Sequence, residues 1–141
     1  MKKLLIFSLT LIIGNLLSAQ DIEFGEGYFE ANFTIDAMHT MDGKTIKLSA
    51  SGEAGPYGKA YLSYIFTSKQ NMADQGEFTG FAWTQIEDQI TTGTLQGVWK
   101  KQGKVFKMYS YDNATNGKIN IVSGVADFTA KTMDFKVSEL K

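Results

Sequence analysis

Apolar and polar side chains alternate with a period of two along most of the chain after residue 28. Residues 28–36 place Phe29, Ala31, Phe33 and Ile35 on one side and polar residues between them. Residues 45–52 repeat the pattern with Ile46, Leu48 and Ala50. Such alternation is typical of a β-strand with one buried and one solvated face. The turn-forming segment 41–44 between the two predicts a hairpin.

Turn-forming residues divide the remainder into six further strands. They are predicted over residues 59–67, 77–86, 90–100, 104–112, 118–127 and 131–140. Composition marks Gly55–Gly58, the polar stretch 68–75 and the segment 112–117 as turns or loops. No apolar spacing of the helical type i, i+3, i+4, i+7 persists in this region. We therefore predict an all-β fold.

The short connections favour antiparallel pairing between consecutive strands. An open sheet of eight such strands would leave two long edges, so closure is expected. We predict a single antiparallel eight-stranded barrel or rolled sheet over residues 20–141, with a β-sandwich as the second choice. At eight strands the interior is filled by side chains or holds one small ligand.

The N-terminus has the pattern of a secretory signal peptide. Lys2 and Lys3 precede an apolar run, Leu4 to Leu17, which ends in small residues before Gln20. The run is too short to span a bilayer comfortably. We predict cleavage after residue 19, export to the periplasm or the medium, and no stable membrane insertion of the mature chain.

Composition narrows the chemistry that is open to the protein. The 141 residues include 15 acidic residues, 14 Lys, no Arg and no Cys, so a basic face for nucleic acid, a bidentate anion clamp and a disulfide are not expected. His39 is the one histidine, and a histidine triad or multi-histidine metal site has at most one candidate member. We predict no nucleic-acid partner, no metal, no cofactor and no catalytic residue.

Aromatic residues are the best candidates for a binding site. We predict that Tyr64, Trp83, Trp99 and Phe106 contact a ligand, because large rings bury much area and orient ligands by stacking. Glycines at 93 and 97 share one strand face, as do Gly76, Gly80 and Ala82. Large rings opposite such small residues would leave room inside a barrel.

Residues 76–137 show a family resemblance. Gly76-Glu77-Phe78-Thr79-Gly80 and the segment 124–130, Gly-Val-Ala-Asp-Phe-Thr-Ala, resemble the barrel shared by allene oxide cyclases and dirigent proteins. Ala126 stands where those families usually have a glycine. The resemblance covers about half of the mature chain and implies a barrel, with cyclase or isomerase activity as one expectation. A lipocalin- or avidin-like barrel is equally compatible, and fold alone does not establish function.

Three functions therefore stay open. The leading hypothesis is an exported barrel that binds a small apolar ligand in its interior. The second is a cyclase- or isomerase-like enzyme, and the third is an envelope or extracellular interaction protein with a filled barrel. An internal cavity of about several hundred Å³ would favour the first two, and a desolvated carboxylate or tyrosine inside it would favour the enzyme.

Overall fold

Period-two alternation produces strands along nearly the whole of the described chain. The computed structural model describes residue 22 and residues 24–68 and 73–141. The first four strands are β1 (Phe29–His39), β2 (Thr45–Glu53), β3 (Lys59–Ser68) and β4 (Gln75–Ile86). The last four are β5 (Gln89–Gln102), β6 (Val105–Ala114), β7 (Ile119–Asp127) and β8 (Thr132–Glu139). The predicted leader, residues 1–19, lies outside the described residues.

The eight strands form a closed antiparallel barrel in chain order. Each strand pairs with the next, and β8 pairs with β1 through a register that runs from Phe29–Val137 to Thr34–Thr132. On the outer wall of this seam, Asn32 Nδ2 donates a hydrogen bond to Asp134 Oδ1 (2.8 Å). The prediction of an all-β antiparallel barrel is confirmed, and the alternative of a β-sandwich is wrong because the strands form one closed sheet and not two sheets packed face to face.

The inward faces of the strands form the core. Alternate residues are buried along β3, where Ala60, Leu62, Tyr64 and Phe66 point inward and the residues between them are exposed. Met108 and Met133, on β6 and β8, are the largest side chains that are fully buried. An eight-stranded barrel has an interior just wide enough for such side chains.

The two ends of the barrel carry different connections. At one end lie the hairpin turns 40–44, 103–104 and 128–131; we call the half of the interior nearest to it the closed half. At the other end lie the turns 87–88 and 115–118 and a 3-10 helix, η1 (Gly55–Tyr57); we call that half the open half. In the described part of the chain, no helix is long and apolar enough to cross a membrane.

Polar turns hold the hairpins at the closed half. Asp42 accepts hydrogen bonds from the backbone nitrogens of Lys44 (2.8 Å) and Thr45 (2.7 Å), which lower the pKa of its carboxyl. His39 is exposed at the end of β1, beyond the register shift between Ile35 and Ala37. It therefore lies on the outer surface at the end of the barrel opposite to the open half.

Candidate functional site

A layer of aromatic rings fills the closed half. We call it the aromatic layer, and its members are Phe66, Phe78, Trp99, Phe106 and Phe128. Phe106 and Phe128 stack at 4.5 Å between ring centroids, and each also contacts a further member of the layer at 5.4–5.6 Å. The contacts continue through Phe66 and Phe78, 5.5 Å apart. These ring contacts fill the interior at the level of the aromatic layer.

Glycines on the neighbouring strands make room for these rings. The Trp99 indole lies over Gly76, its register partner on β4, and its Nε1 donates to the carbonyl oxygen of Thr67 (3.2 Å). A Cβ on Gly76 would collide with that same carbonyl oxygen and with the indole. Phe78 covers Gly97 in the same way. Aromatic rings over cross-strand glycines are a recognised device for building curved sheets.

An interior cavity of about 90 Å³ occupies the open half. Its wall contains six small residues, which leave the space that larger side chains would fill: Ala31, Ala54, Ala60, Ala82, Gly93 and Ala114. Its polar lining residues are Tyr57, Tyr64, Thr84, Thr91, Thr92, Asp112 and Asn120. The remaining lining residues are phenylalanines, leucines and valines, so the wall is mainly apolar.

A wider vestibule of about 370 Å³ lies outside this cavity. The two spaces share lining residues, among them Tyr57, Thr84 and Asn120. The backbone of η1 is fixed beside β4, because Thr84 Oγ1 lies 2.5 Å from the Tyr57 carbonyl and 2.8 Å from that of Lys59. The cavity and the vestibule are therefore adjacent, and polar side chains form the rim between them.

The rim is tied together across the barrel mouth. Asn116 Nδ2 donates to the Tyr57 hydroxyl at 3.3 Å, and Asn120 Nδ2 does so at 3.5 Å. The β6–β7 turn is joined to β5 by two hydrogen bonds: Thr92 N donates to the side-chain Oγ1 of Thr115 (3.0 Å), and Thr115 N donates to the carbonyl oxygen of Thr92 (2.9 Å). The two asparagine contacts hold the Tyr57 hydroxyl at the rim.

Asp112 is the ionisable carboxyl group of the cavity wall. It lies on β6 between Leu95 of β5 and Asn120 of β7, both of which also line the cavity. Ser110 Oγ donates to Asp112 Oδ1 (2.8 Å). Burial raises the pKa of Asp112 to about 7, against the smaller lowering effect of the Ser110 bond. The group is therefore poised to gain or lose a proton near neutral pH.

Tyr64 forms the floor of the cavity. Its ring contacts Phe66 and Phe78 of the aromatic layer at 5.7 and 5.6 Å. Burial, and secondarily the charge of Asp112, raises the pKa of its hydroxyl well above the usual value. The phenol stays neutral at physiological pH, so it can serve as a hydrogen-bonding group but not as an anion.

The four residues predicted to bind a ligand are not brought together. Tyr64 lines the cavity, whereas Trp99 and Phe106 belong to the aromatic layer of the closed half. Trp83 points away from the interior and packs against Tyr61 at 5.9 Å on the outer wall. Of the four, only Tyr64 is placed where an internal ligand would contact it.

Sequence reasoning missed Asp112 as a site residue. The predicted strand 104–112 ends at Asp112, and the segment 112–117 is predicted as a turn, whereas β6 continues to Ala114. The available signal was the alternation itself, because extending the inward series Met108, Ser110 by two residues reaches Asp112. A turn-forming composition outweighed that periodicity.

Comparison of the chain with protein-family models, with curated proteins and with solved structures finds no match. The resemblance to allene oxide cyclases and dirigent proteins therefore stays a prediction. Within the described residues, no three His, Cys, Asp or Glu side chains are grouped so that they could hold a metal ion. The cavity around Tyr64 and Asp112 is the candidate site.

Proposed function

We propose that this protein binds a small, largely apolar molecule at the open half of the barrel, as an exported binding protein. The observation that carries the proposal is the mainly apolar interior cavity, which lies next to the vestibule and shares wall residues with it. Ligand sites generally combine an apolar wall with a few polar groups that fix orientation. Tyr57, Thr84 and Asn120 supply such groups at the rim.

The volumes define how a ligand is seated. The interior cavity, at about 90 Å³, is below the volume of about several hundred Å³ expected of a pocket that encloses a ligand. A pocket for a whole drug-sized ligand is larger, roughly 300–1,000 Å³. We therefore propose that one end of the ligand enters the interior cavity while its body lies in the vestibule.

Native mass spectrometry tests the proposal on protein purified from its own host. The wild-type barrel is expected to retain a ligand mass. Ala60→Leu fills the cavity, because Ala60 is buried in its wall, and is expected to lose that ligand.

Ser63→Leu is the matched control, since Ser63 lies on the same strand with its side chain on the exposed face. This variant is expected to retain the ligand. A wild-type protein without a bound ligand, or equal retention by both variants, would contradict binding inside the barrel.

A cyclase or isomerase is the second candidate, and the position of Asp112 favours it. A carboxyl group with a pKa near 7 inside a cavity can accept a proton from a substrate and return it at another position. In that case Asp112→Asn would abolish turnover of the retained molecule. If Asp112→Asn loses the ligand and the wild type shows no detectable turnover of it, the enzyme candidate fails and only the binding function remains.

A further inference from the structure

Resting on the proposed function, we infer that the inner end of the ligand is a primary ammonium group that docks against Asp112. The inference names the chemical class of ligand: a small amine with an apolar body. It follows from the charges, the hydrogen-bonding groups and the size of the interior cavity, which are considered in turn.

The charge of the cavity wall excludes an anionic head group. Among the described residues that line the cavity, none is Lys or His, and the chain contains no Arg. A carboxylate or phosphate would face Asp112 with no cation to compensate either charge. Burying an unpaired charge is strongly unfavourable, so the head group is neutral or positive.

The hydrogen-bonding groups favour a positive head group over a neutral one. Asp112 Oδ1 already accepts from Ser110, and an ionised carboxylate has further acceptor sites on both oxygens. Asn120, the register partner of Asp112 on β7, adds an amide oxygen within the same wall. An ammonium group carries three donors and no acceptor, which complements this set.

The size and walls of the cavity suit a compact cation. A terminal aminomethyl group needs far less space than a whole ligand, so it fits an interior of about 90 Å³. The wall also contains aromatic rings, Tyr64 and Phe135 among them, whose faces attract cations. The apolar body of the amine then lies toward the vestibule.

Few other charged groups face Asp112. Tyr64 on β3 and Tyr57 on η1 are the titratable neighbours that line the cavity, while Leu95 on β5 and Asn120 on β7 do not titrate. In the vestibule, Lys118 and Glu139 form an ion pair at 3.3 Å. A bound cation is thus the charge that acts most directly on the Asp112 carboxyl.

Proton release follows from this arrangement. Burial raises the pKa of Asp112 to about 7, so the free protein holds most of this proton at pH 6. A bound ammonium group stabilises the carboxylate and lowers that pKa. Binding of an amine at pH 6 must then release close to one proton, and at pH 8 almost none.

Isothermal titration calorimetry with benzylamine and benzyl alcohol tests the inference, because the two probes differ in the head group. At pH 8 we expect benzylamine to bind at least about tenfold more tightly than the alcohol. At pH 6, titrations in two buffers of different ionisation enthalpy should show proton release with the amine only. Ser110→Ala, which removes the bond that lowers the pKa of Asp112, should increase proton release at pH 7.

Variants separate the ammonium site from the cavity itself. Asp112→Asn should reduce benzylamine affinity by at least about tenfold and change that of benzyl alcohol by less than about twofold. Asp88→Asn controls for net charge, because Asp88 is exposed in the β4–β5 turn at the same end of the barrel, and it should leave both affinities unchanged.

Equal affinities for the two probes in the wild type, or an unchanged benzylamine affinity in Asp112→Asn, would overturn the amine inference and leave the binding function standing. Absence of binding by either probe would also overturn it. The proposed function fails separately, if the protein from its host carries no ligand.

Discussion

The closed and open halves of the barrel are built from the same eight strands with the same pairing, but their interiors differ. In the closed half, the rings of Phe66, Phe78 and Trp99 lie over glycines or against each other. In the open half, alanines occupy the corresponding inward positions of several strands, and the cavity remains. The fold therefore fixes the diameter of the barrel, and the size of the inward side chains decides whether that space is filled.

The two halves also differ in the polar groups that they bury. In the closed half, the indole nitrogen of Trp99 donates a hydrogen bond to a backbone carbonyl oxygen. This buried polar group is therefore satisfied, and the closed half serves as a stabilising core. The open half instead holds Asp112, an ionisable group whose burial is unfavourable when it is charged. Proteins commonly give up stability in this way at functional sites.

The largest difference between the halves should come from removing one phenylalanine ring from each. Phe66→Ala removes a side chain that is only 2% exposed and contacts three other rings, and we expect a loss of about 3–5 kcal/mol in the free energy of unfolding. Phe29→Ala removes a partly exposed ring at the mouth and should cost about 1–2 kcal/mol. Urea unfolding followed by circular dichroism measures both. Equal losses would show that the open half is as tightly packed as the closed half.

The next largest effect should depend on pH. Because the folded-state pKa of Asp112 is raised from 3.8 to about 7, the folded protein binds a proton that the unfolded chain releases between those values. Stability should therefore fall as the pH rises from about 4 to about 7. Asp112→Asn should remove this loss, with a gain of about 2–4 kcal/mol at pH 8 and almost none at pH 4.

Thermal unfolding at several pH values checks this expectation, with Asp88→Asn as the exposed control. A wild-type stability that rises over the same pH range would contradict the assigned burial of Asp112. An equal gain in the control would indicate a general effect of net charge.

The smallest of the three effects compares two strand glycines. Gly76→Ala places a Cβ against a backbone oxygen and the Trp99 ring, and we expect a loss of about 1–3 kcal/mol from overpacking. Gly93→Ala meets its nearest atom, the Asn113 carbonyl oxygen, at 3.4 Å, so it should cost less than about 1 kcal/mol. The midpoints of urea unfolding report the difference. A larger loss for Gly93→Ala would contradict the distinction between a filled and an open half.

Much of the fold followed from the alternation of apolar and polar residues. The two predicted strands of the first hairpin, 28–36 and 45–52, lie within three residues of β1 and β2 at each end, because one wet face makes the pattern clear. Closure of the sheet was also expected, since eight strands with short connections have no other way to remove both edges.

The site was harder to predict, because it depends on which inward residues meet across the barrel. Trp83 and Trp99 are equally large and aromatic, but alternate positions along a strand face opposite sides of the sheet. Trp83 falls on the outward face of its strand and Trp99 on the inward face of its own. Strand position then decides that Trp99 reaches the closed half instead of the cavity. Asp112 was obscured for a different reason, since aspartate is a common turn residue and seldom faces a barrel interior.

The seam between the first and last strands has a consequence for biosynthesis. Asn32 and Asp134, which bond across it, are separated by 102 positions in sequence, so the ring cannot be completed until β8 has been synthesised. A nascent or C-terminally truncated chain that lacks β8 would expose the edges of β1 and β7, and exposed edges readily pair with other molecules. By pairing with β1 and β7, the last strand, β8, thus covers both edges and protects the newly made protein from aggregation.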